Sequence, residues 1–292
     1  MSLFANLLKD PPPTHVFELS EEGIAFARVA DPAQVTFAPF QAGVLLVSPA
    51  HDNIQQPQAF QAEVERIAPP NGHRKRRAAL ILPDYCARVA VLDFDAFPEA
   101  PEEQMALLRF RMRKSVPFDV DTAVVSYAAQ PHKKAGKIEV LAALMSLEIV
   151  VRYETPFITA GFQPGLVTTS SLAALNLMNP DHITMLVKLS GRILSVLVLD
   201  GQAVKLTRCV ELDDTRPEEI ESVLHPTVAY IEDELKSKPK RIWLCGFGQQ
   251  SADLAASWEK EWGVDLEPLR SRFGTPGRNN AGLLGYLESA AG

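Results

Sequence analysis

The Asp200-Gly201 dipeptide constrains this chain more than any other local feature. It stands between two apolar runs, 193–199 and 203–210, and Asp-Gly in that setting is a strong hairpin signal. Ser190-Gly191 joins residues 183–189 to the first of these runs, so the sequence predicts a three-stranded meander. The N-terminal part carries the same pattern: 15–19 reads as a strand, Glu21-Glu22-Gly23 as a tight turn and 24–29 as the returning strand. Further short strands are expected at 34–37 and 43–47. A chain that starts a meander twice has a duplicated architecture, although the two copies share no sequence.

Helices and single strands follow each meander. Residues 60–67 form an amphipathic helix with Phe60, Val64 and Ile67 on one face, and 78–82 an apolar strand ended by Pro83-Asp84. After the second meander come a helix from 217 to about 236, a strand at 241–245, the turn Gly246-Phe247-Gly248 and helices at 251–262 and 279–289. Between the halves lies a stretch of different character. A strand at 88–94 leads to a helix at 102–114, whose Met105, Leu108 and Met112 make an i, i+3, i+7 stripe. Pro117 is expected to stop that helix at Val116, because its ring excludes α geometry from the preceding residue. Strands at 122–129 and 137–143 flank a polar loop, and a helix at 147–160 ends at Gly161. This β-α-β-β-α unit reads as an inserted subdomain.

Composition removes several function classes. Of the 292 residues 47% are hydrophobic and 22% charged, ordinary globular usage that excludes a disordered or coiled-coil chain. The net charge of −7 opposes wholesale binding to a nucleic-acid backbone. Cys86, Cys209 and Cys245 are odd in number and without zinc or redox spacing, which fits a reducing compartment. The longest uncharged stretch, 155–179, is broken by Pro156, Gly161, Pro164 and Gly165, and residues 1–10 are too weakly apolar for an export signal. A soluble, cytoplasmic protein is the expectation. The six histidines lack metal-ligand spacing and no nucleophile elbow is present, so neither enzyme, metal nor cofactor is expected.

Phe94, Glu103 and Ser115-Val116-Pro117-Phe118-Asp119, with 187–208 and 242–269, resemble the PilM family of type IV pilus assembly and type II secretion proteins. That family belongs to the actin-like ATPase superfamily and is related to FtsA. The resemblance implies an α/β, actin-like (ribonuclease H-like) duplicated mixed-sheet fold with an inserted small α+β subdomain. It divides the chain into a first half (14–86 and 162–182), an insert (87–161) and a second half (183–292). The second half is short between 213 and 240, where relatives carry a further subdomain that walls the adenine pocket.

Active relatives bind a nucleotide between two hairpins and a glycine-rich turn. Glycines admit backbone N–H groups to the phosphates, and an Asp in each hairpin handles Mg²⁺ or water. Against that pattern, Glu18 replaces the first Asp, Ser20 replaces a Gly, and Glu21 and Glu22 put two negative charges on the turn that would face phosphate. Two like charges about 4 Å apart repel by about 4 kcal/mol at an effective dielectric near 20. In the second hairpin Lys188 reverses the charge of the metal-handling position and Ser190 precedes Gly191; a salt bridge from Lys188 to Glu18 or Glu21 is expected. In the third motif, Gly246-Phe247-Gly248, Phe247 either sits where a base would lie or closes a strand-to-helix turn. The sequence reads as an actin-like fold that has lost its nucleotide site.

The resemblance implies a non-catalytic cytoplasmic adaptor that takes the tail of a PilN-like inner-membrane protein into a groove and meets the membrane through that partner. Leu108, Phe110, Val116, Pro117 and Phe118 are the expected lining, between the insert and the first half. The alternative is an ATP-binding switch with an unusual pocket. Homo-oligomerisation stays open. The basic run 73–77 reads as a solvated loop or a contact for anionic lipid headgroups, Arg109, Arg111, Arg113 and Lys114 as a solvated face or a partner contact, and Asn6-Leu7-Leu8 in the N-terminal tail as a frayed end or a segment that docks in a groove of its own or a neighbouring molecule.

Overall fold

A computed structural model describes residues 12–69, 76–130 and 137–291. The tail at 1–11 and residues 73–75 of the first basic cluster lie outside these. The first half starts with β1 (His15–Ser20), β2 (Gly23–Arg28), β3 (Asp31–Pro39), α1 (Pro57–Ile67) and β4 (Arg76–Leu82). The insert follows as β5 (Ala87–Phe94), α2 (Pro101–Met112), β6 (Val124–Gln130) and β7 (Ile138–Met145). The chain returns through α3 (Leu147–Thr159), β8 (Phe162–Thr169) and α4 (Ser170–Ala174). The second half contains β9 (Ile183–Ser190), β10 (Ile193–Asp200), β11 (Ala203–Glu211), α5 (Pro217–Glu234), β12 (Arg241–Cys245), α6 (Ser251–Trp262), β13 (Asp265–Pro268) and α7 (Ala281–Ala291).

The duplication is evident in the strand order. One sheet runs β3-β2-β1-β4-β8 and the other β11-β10-β9-β12-β13. In each, an antiparallel meander is extended from its first strand by parallel neighbours. The turns of the second meander centre on Gly191-Arg192 and Gly201-Gln202, and both glycines have positive φ, 58° and 59°. Two-residue hairpins place Gly at that first central position because L side chains are strained there.

Alternation along the strands gives the first sheet two buried faces. Phe17, Leu19, Leu80 and Leu82 pack under α1 and α3, while Val16, Ala25, Ala79 and Ile81 pack under α4 and α7. In the second sheet Val187, Leu194 and Val196 pack against α5 and α6, and Leu186, Leu197 and Leu199 face the first half. The insert is a three-stranded sheet, β5-β7-β6, with α2 on one face.

Four readings of the sequence need correction. The helix assigned to the end of the insert, α3, packs Ile149, Tyr153 and Phe157 against Phe17 and Phe60 of the first half; helical period fixes which face is apolar but not which sheet receives it. The C-terminal helix α7 leaves the second half and covers the first sheet with Leu283, Leu284 and Leu287. Gly285 makes that approach close, since a Cβ there would lie 2.1 Å from the Ala173 carbonyl oxygen. The expected strand at 43–47 is only an isolated bridge, Leu45 to Ile54. Finally, α2 ends at Met112, ahead of the point where Pro117 would stop it. Arg109 donates to the carbonyls of Val120, Asp121 and Ala123 and ties the following loop against the helix.

Candidate functional site

The two meanders bring the ends of β1 and β9 together at the centre of the molecule. Here lie Glu18, Lys188 and Asp84, the last on a 3-10 turn that follows Pro83 at the end of β4. All three are buried. The Asp84 carboxylate accepts the Ser171 N–H at 2.7 Å and its hydroxyl at 2.6 Å, the Ser195 hydroxyl at 2.9 Å, and the Lys188 Nζ at 3.3 Å. Burial alone would raise the Asp84 carboxyl, but the Lys188 ammonium and the serine donors outweigh it and hold it below the usual range. Burial would likewise lower Lys188, yet the Asp84 and Glu18 carboxylates raise it. Lys188 thus pairs with Asp84 and not, as the sequence suggested, with Glu18 or Glu21. Asp84 escaped the sequence reading because Pro83-Asp84 looks like any strand end. Only the fold places it opposite Lys188, 104 residues later.

Glu18 serves a different purpose. Its carboxylate accepts the Ser170 hydroxyl and, at 2.7 Å, the Leu283 N–H in the first turn of α7. A carboxylate at a helix N-terminus satisfies an orphan donor and complements the helix dipole. Burial raises the Glu18 carboxyl, and Lys188, Ser170 and Leu283 offset this only in part.

The acidic turn is occupied by the protein itself. Glu21 accepts the Val47 N–H at 2.8 Å, and Glu22 accepts Arg278 Nη1 at 2.8 Å and Asn279 Nδ2 at 2.7 Å. The loop carrying Arg278 also accepts the Ser190 hydroxyl at its Arg278 carbonyl, 3.1 Å. Ser20 donates to the carbonyl of Gly23 within its own hairpin. Gly246, at φ 87°, presses against β9 so closely that a Cβ would lie 1.9 Å from the Leu189 oxygen. Phe247 turns into the second core and meets the Trp258 ring edge-on at 6.2 Å, so it closes a strand-to-helix turn. Gly248 has open space around it.

What remains between the hairpins is a space of about 100 Å³, bounded by Glu21, Glu22, Lys188, Gly191 and Arg278. Ligand pockets usually hold about 300–1,000 Å³. A more open space of about 730 Å³ lies beside Gly246 and Gly248, walled by Phe37, Leu244 and Pro276. Among the described residues no cluster of three or more His, Cys, Asp and Glu could hold a metal, and no helix is long and apolar enough to cross a membrane. The cysteines are free, and burial pushes the Cys209 and Cys245 thiols up to about 12.

A groove of about 450 Å³ lies on the other side of Asp84. The 3-10 turn, the insert, α4 and the edge of the second sheet enclose it, with Tyr85, Val89, Pro117, Leu172, Leu197 and Cys209 among its walls. Of the five residues expected to line a partner groove, the structure brings only Pro117 to it. Leu108 is fully buried in the insert core, Val116 and Phe118 pack against that same core, and Phe110 is 72% exposed on the outer surface. The sequence placed them by proximity along the chain, whereas α2 turns its apolar stripe onto its own sheet. The basic residues of α2 also have structural roles: Arg111 donates to the Asp93 carbonyl over the Phe94 ring, and Arg113 pairs with Asp121.

No protein-family model matches the sequence and no curated protein matches it. Solved structures do. A PilM-PilN type IV pilus biogenesis complex superposes with a TM-score of 0.71 at 16% identity, covering 97% of this chain and 100% of that one. A Bacteroides thetaiotaomicron protein with an actin-like ATPase fold and unknown function gives 0.51 at 11% identity, over 91% of this chain and 93% of that one. The cytoplasmic domain of EpsL, an inner-membrane component of the Vibrio cholerae type II secretion system, gives 0.50 at 11% identity, over 95% and 93%. The fold is actin-like, of the PilM-like form.

Proposed function

We propose that this chain, with its PilM-like actin-like fold, is a non-catalytic adaptor of a pilus or type II secretion-like machine. It works at the cytoplasmic face of the inner membrane by holding the cytoplasmic tail of a PilN-like membrane protein. The observation that carries this reading is the pairing of a closed cleft with an open groove. Where a nucleotide would bridge the hairpins, Lys188, Arg278 and Asn279 engage Asp84 and Glu22, and the leftover space of about 100 Å³ is too small for a triphosphate. The groove beside Tyr85 has the volume and mixed apolar and hydroxyl lining that a short peptide needs.

One observation favours a second reading. The space of about 730 Å³ beside Gly246 and Gly248 is what an ATP-binding switch would use for its base. Calorimetry separates the two. The adaptor takes up the tail peptide and shows no heat with ATP and Mg²⁺, while micromolar ATP binding would sink the closed-cleft reading.

A further inference from the structure

An open sheet edge is a template for another strand, and folded chains blunt it with proline, charge, shortness or a bulge. Most strands that end a sheet in this chain carry such a device. β3 has Pro32 and β8 has Pro164, each with a register shift. β11 has Lys205, Arg208 and a shift, β13 is four residues ending in Pro268, and β5 carries Arg88 and Asp93. β6, the outer strand of the insert sheet, has none. Its residues, Val-Val-Ser-Tyr-Ala-Ala-Gln, include no charge and no proline, and its register with β7 is unbroken. β7 bonds every second residue, which leaves the N–H and C=O of the alternate ones turned away from the sheet. Val124 is 42% exposed, and Ser126 and Ala128 are exposed as well. β11 crosses the face opposite α2, where Gln130 bonds the Val204 backbone and Lys205 pairs with Glu139, and so does not run along this edge.

The flank of α2 above the edge complements a copy of itself. Arg109 donates to carbonyls of 120, 121 and 123, the run that leads into β6, so its flank faces that side. Glu102, Ala106, Arg109 and Arg113 follow at helical intervals of four, three and four and share this flank. Glu102 is exposed and makes no ion pair among the described residues, while Arg113 meets Asp121 at 3.4 Å with both side chains exposed. An acid thus stands at one end of the flank and a base at the other.

We propose that β6 of one copy pairs antiparallel with β6 of a second copy, about a two-fold axis normal to the sheet, and joins the two insert sheets into one. An uncharged strand opposes no like charges when it meets itself. The two α2 helices then run antiparallel on one face. Each lies over β7, whose Val140, Ala142 and Leu144 are fully buried beneath it, which sets the helices three strand spacings, about 14 Å, apart. Long side chains reach across that gap, and the axis places Glu102 of each copy against Arg113 of the other. The interface is isologous and closes at two copies.

The test uses the full chain. Sedimentation over a dilution series is expected to show a monomer–dimer equilibrium. Amide exchange is expected to be at least tenfold slower in the concentrated sample than in the dilute one at every second residue of 124–130, a reading that needs no variant. S126K places like charges on both strands at an exposed position and should weaken the dimer at least tenfold with its unfolding midpoint unchanged. E102R and R113E should each weaken it at least threefold, and the double variant, which restores opposite charges, should recover the original affinity. A monomer at every soluble concentration overturns the proposal, as does a dimer without protection in β6 or one that S126K leaves undiminished. A double variant no tighter than the single ones overturns the two-fold placement of α2, and assemblies beyond the dimer overturn the closed interface. Protection of β6 that arises only with a synthetic peptide of the PilN-like tail assigns the edge to that partner and overturns self-pairing.

Discussion

Asp84 and Lys188 form a buried pair whose partners cannot be removed singly without leaving a charge in a dry site. Asp84→Ala and Lys188→Met should each cost about 3–5 kcal/mol in urea unfolding, and the double variant less than the sum of the two. The pH profile carries both signs. Asp84 is held low, so its contribution is present above its ordinary 3.8 and is lost as pH falls through the lower folded value. Lys188 is raised, so its contribution is complete below 10.5 and is lost as pH rises through the higher folded value. Glu18 is raised too, and favours the fold in its protonated form, a benefit that fades as pH climbs through its folded value above 4.5. Unfolding across pH should therefore show an acid arm, shared with Glu288, that Asp84→Asn shrinks, and an alkaline arm, shared with the buried Cys209 and Cys245 thiols, that Lys188→Met shrinks. An unchanged profile in either variant would remove these groups from the account.

At the scale of elements, glycines test which contacts set the architecture. Gly246→Ala combines positive φ with a backbone oxygen 1.9 Å from the new Cβ, and Gly285→Ala pushes α7 off the Ala173 carbonyl. Each should destabilise by at least the 1–3 kcal/mol typical of overpacking. Gly248→Ala, at φ 57° with nothing within 4 Å, should cost only the left-handed penalty of about 1–2 kcal/mol. Equal losses for Gly246→Ala and Gly248→Ala, measured by thermal unfolding, would contradict the close packing of β12 on β9. The contrast also marks how far sequence could reach. Both meanders and their turns were legible, because alternation and glycine placement are local. The destinations of α3 and α7 were not, since an apolar stripe does not name its sheet. The Asp84 cluster was hidden for the same reason, its donors Ser171, Lys188 and Ser195 being 87, 104 and 111 residues away.

Across the whole molecule, the two halves are fastened to each other by the chain's own groups, and α7 is the largest of these fasteners. Leu283, Leu284 and Leu287 are fully buried against the first sheet. At about 1.5–3 kcal/mol per buried leucine they contribute roughly 5–9 kcal/mol, comparable with the whole stability of a typical domain. A chain ending at residue 280 should lose the first half's cooperative unfolding while β9 to β13 keep theirs, as read by amide exchange; protection that persists in β1 and β4 would refute this. The same helix has a consequence for synthesis. Glu18 meets Leu283 across 265 residues. A ribosome adding about 5–20 residues per second needs roughly 13–53 s to bridge that gap. Until α7 is made, Val16, Ala25 and Ile81 have at most the short α4 to cover them on that face. The first half, translated before the second, is thus the last to be finished, and it is where a nascent chain most needs a chaperone.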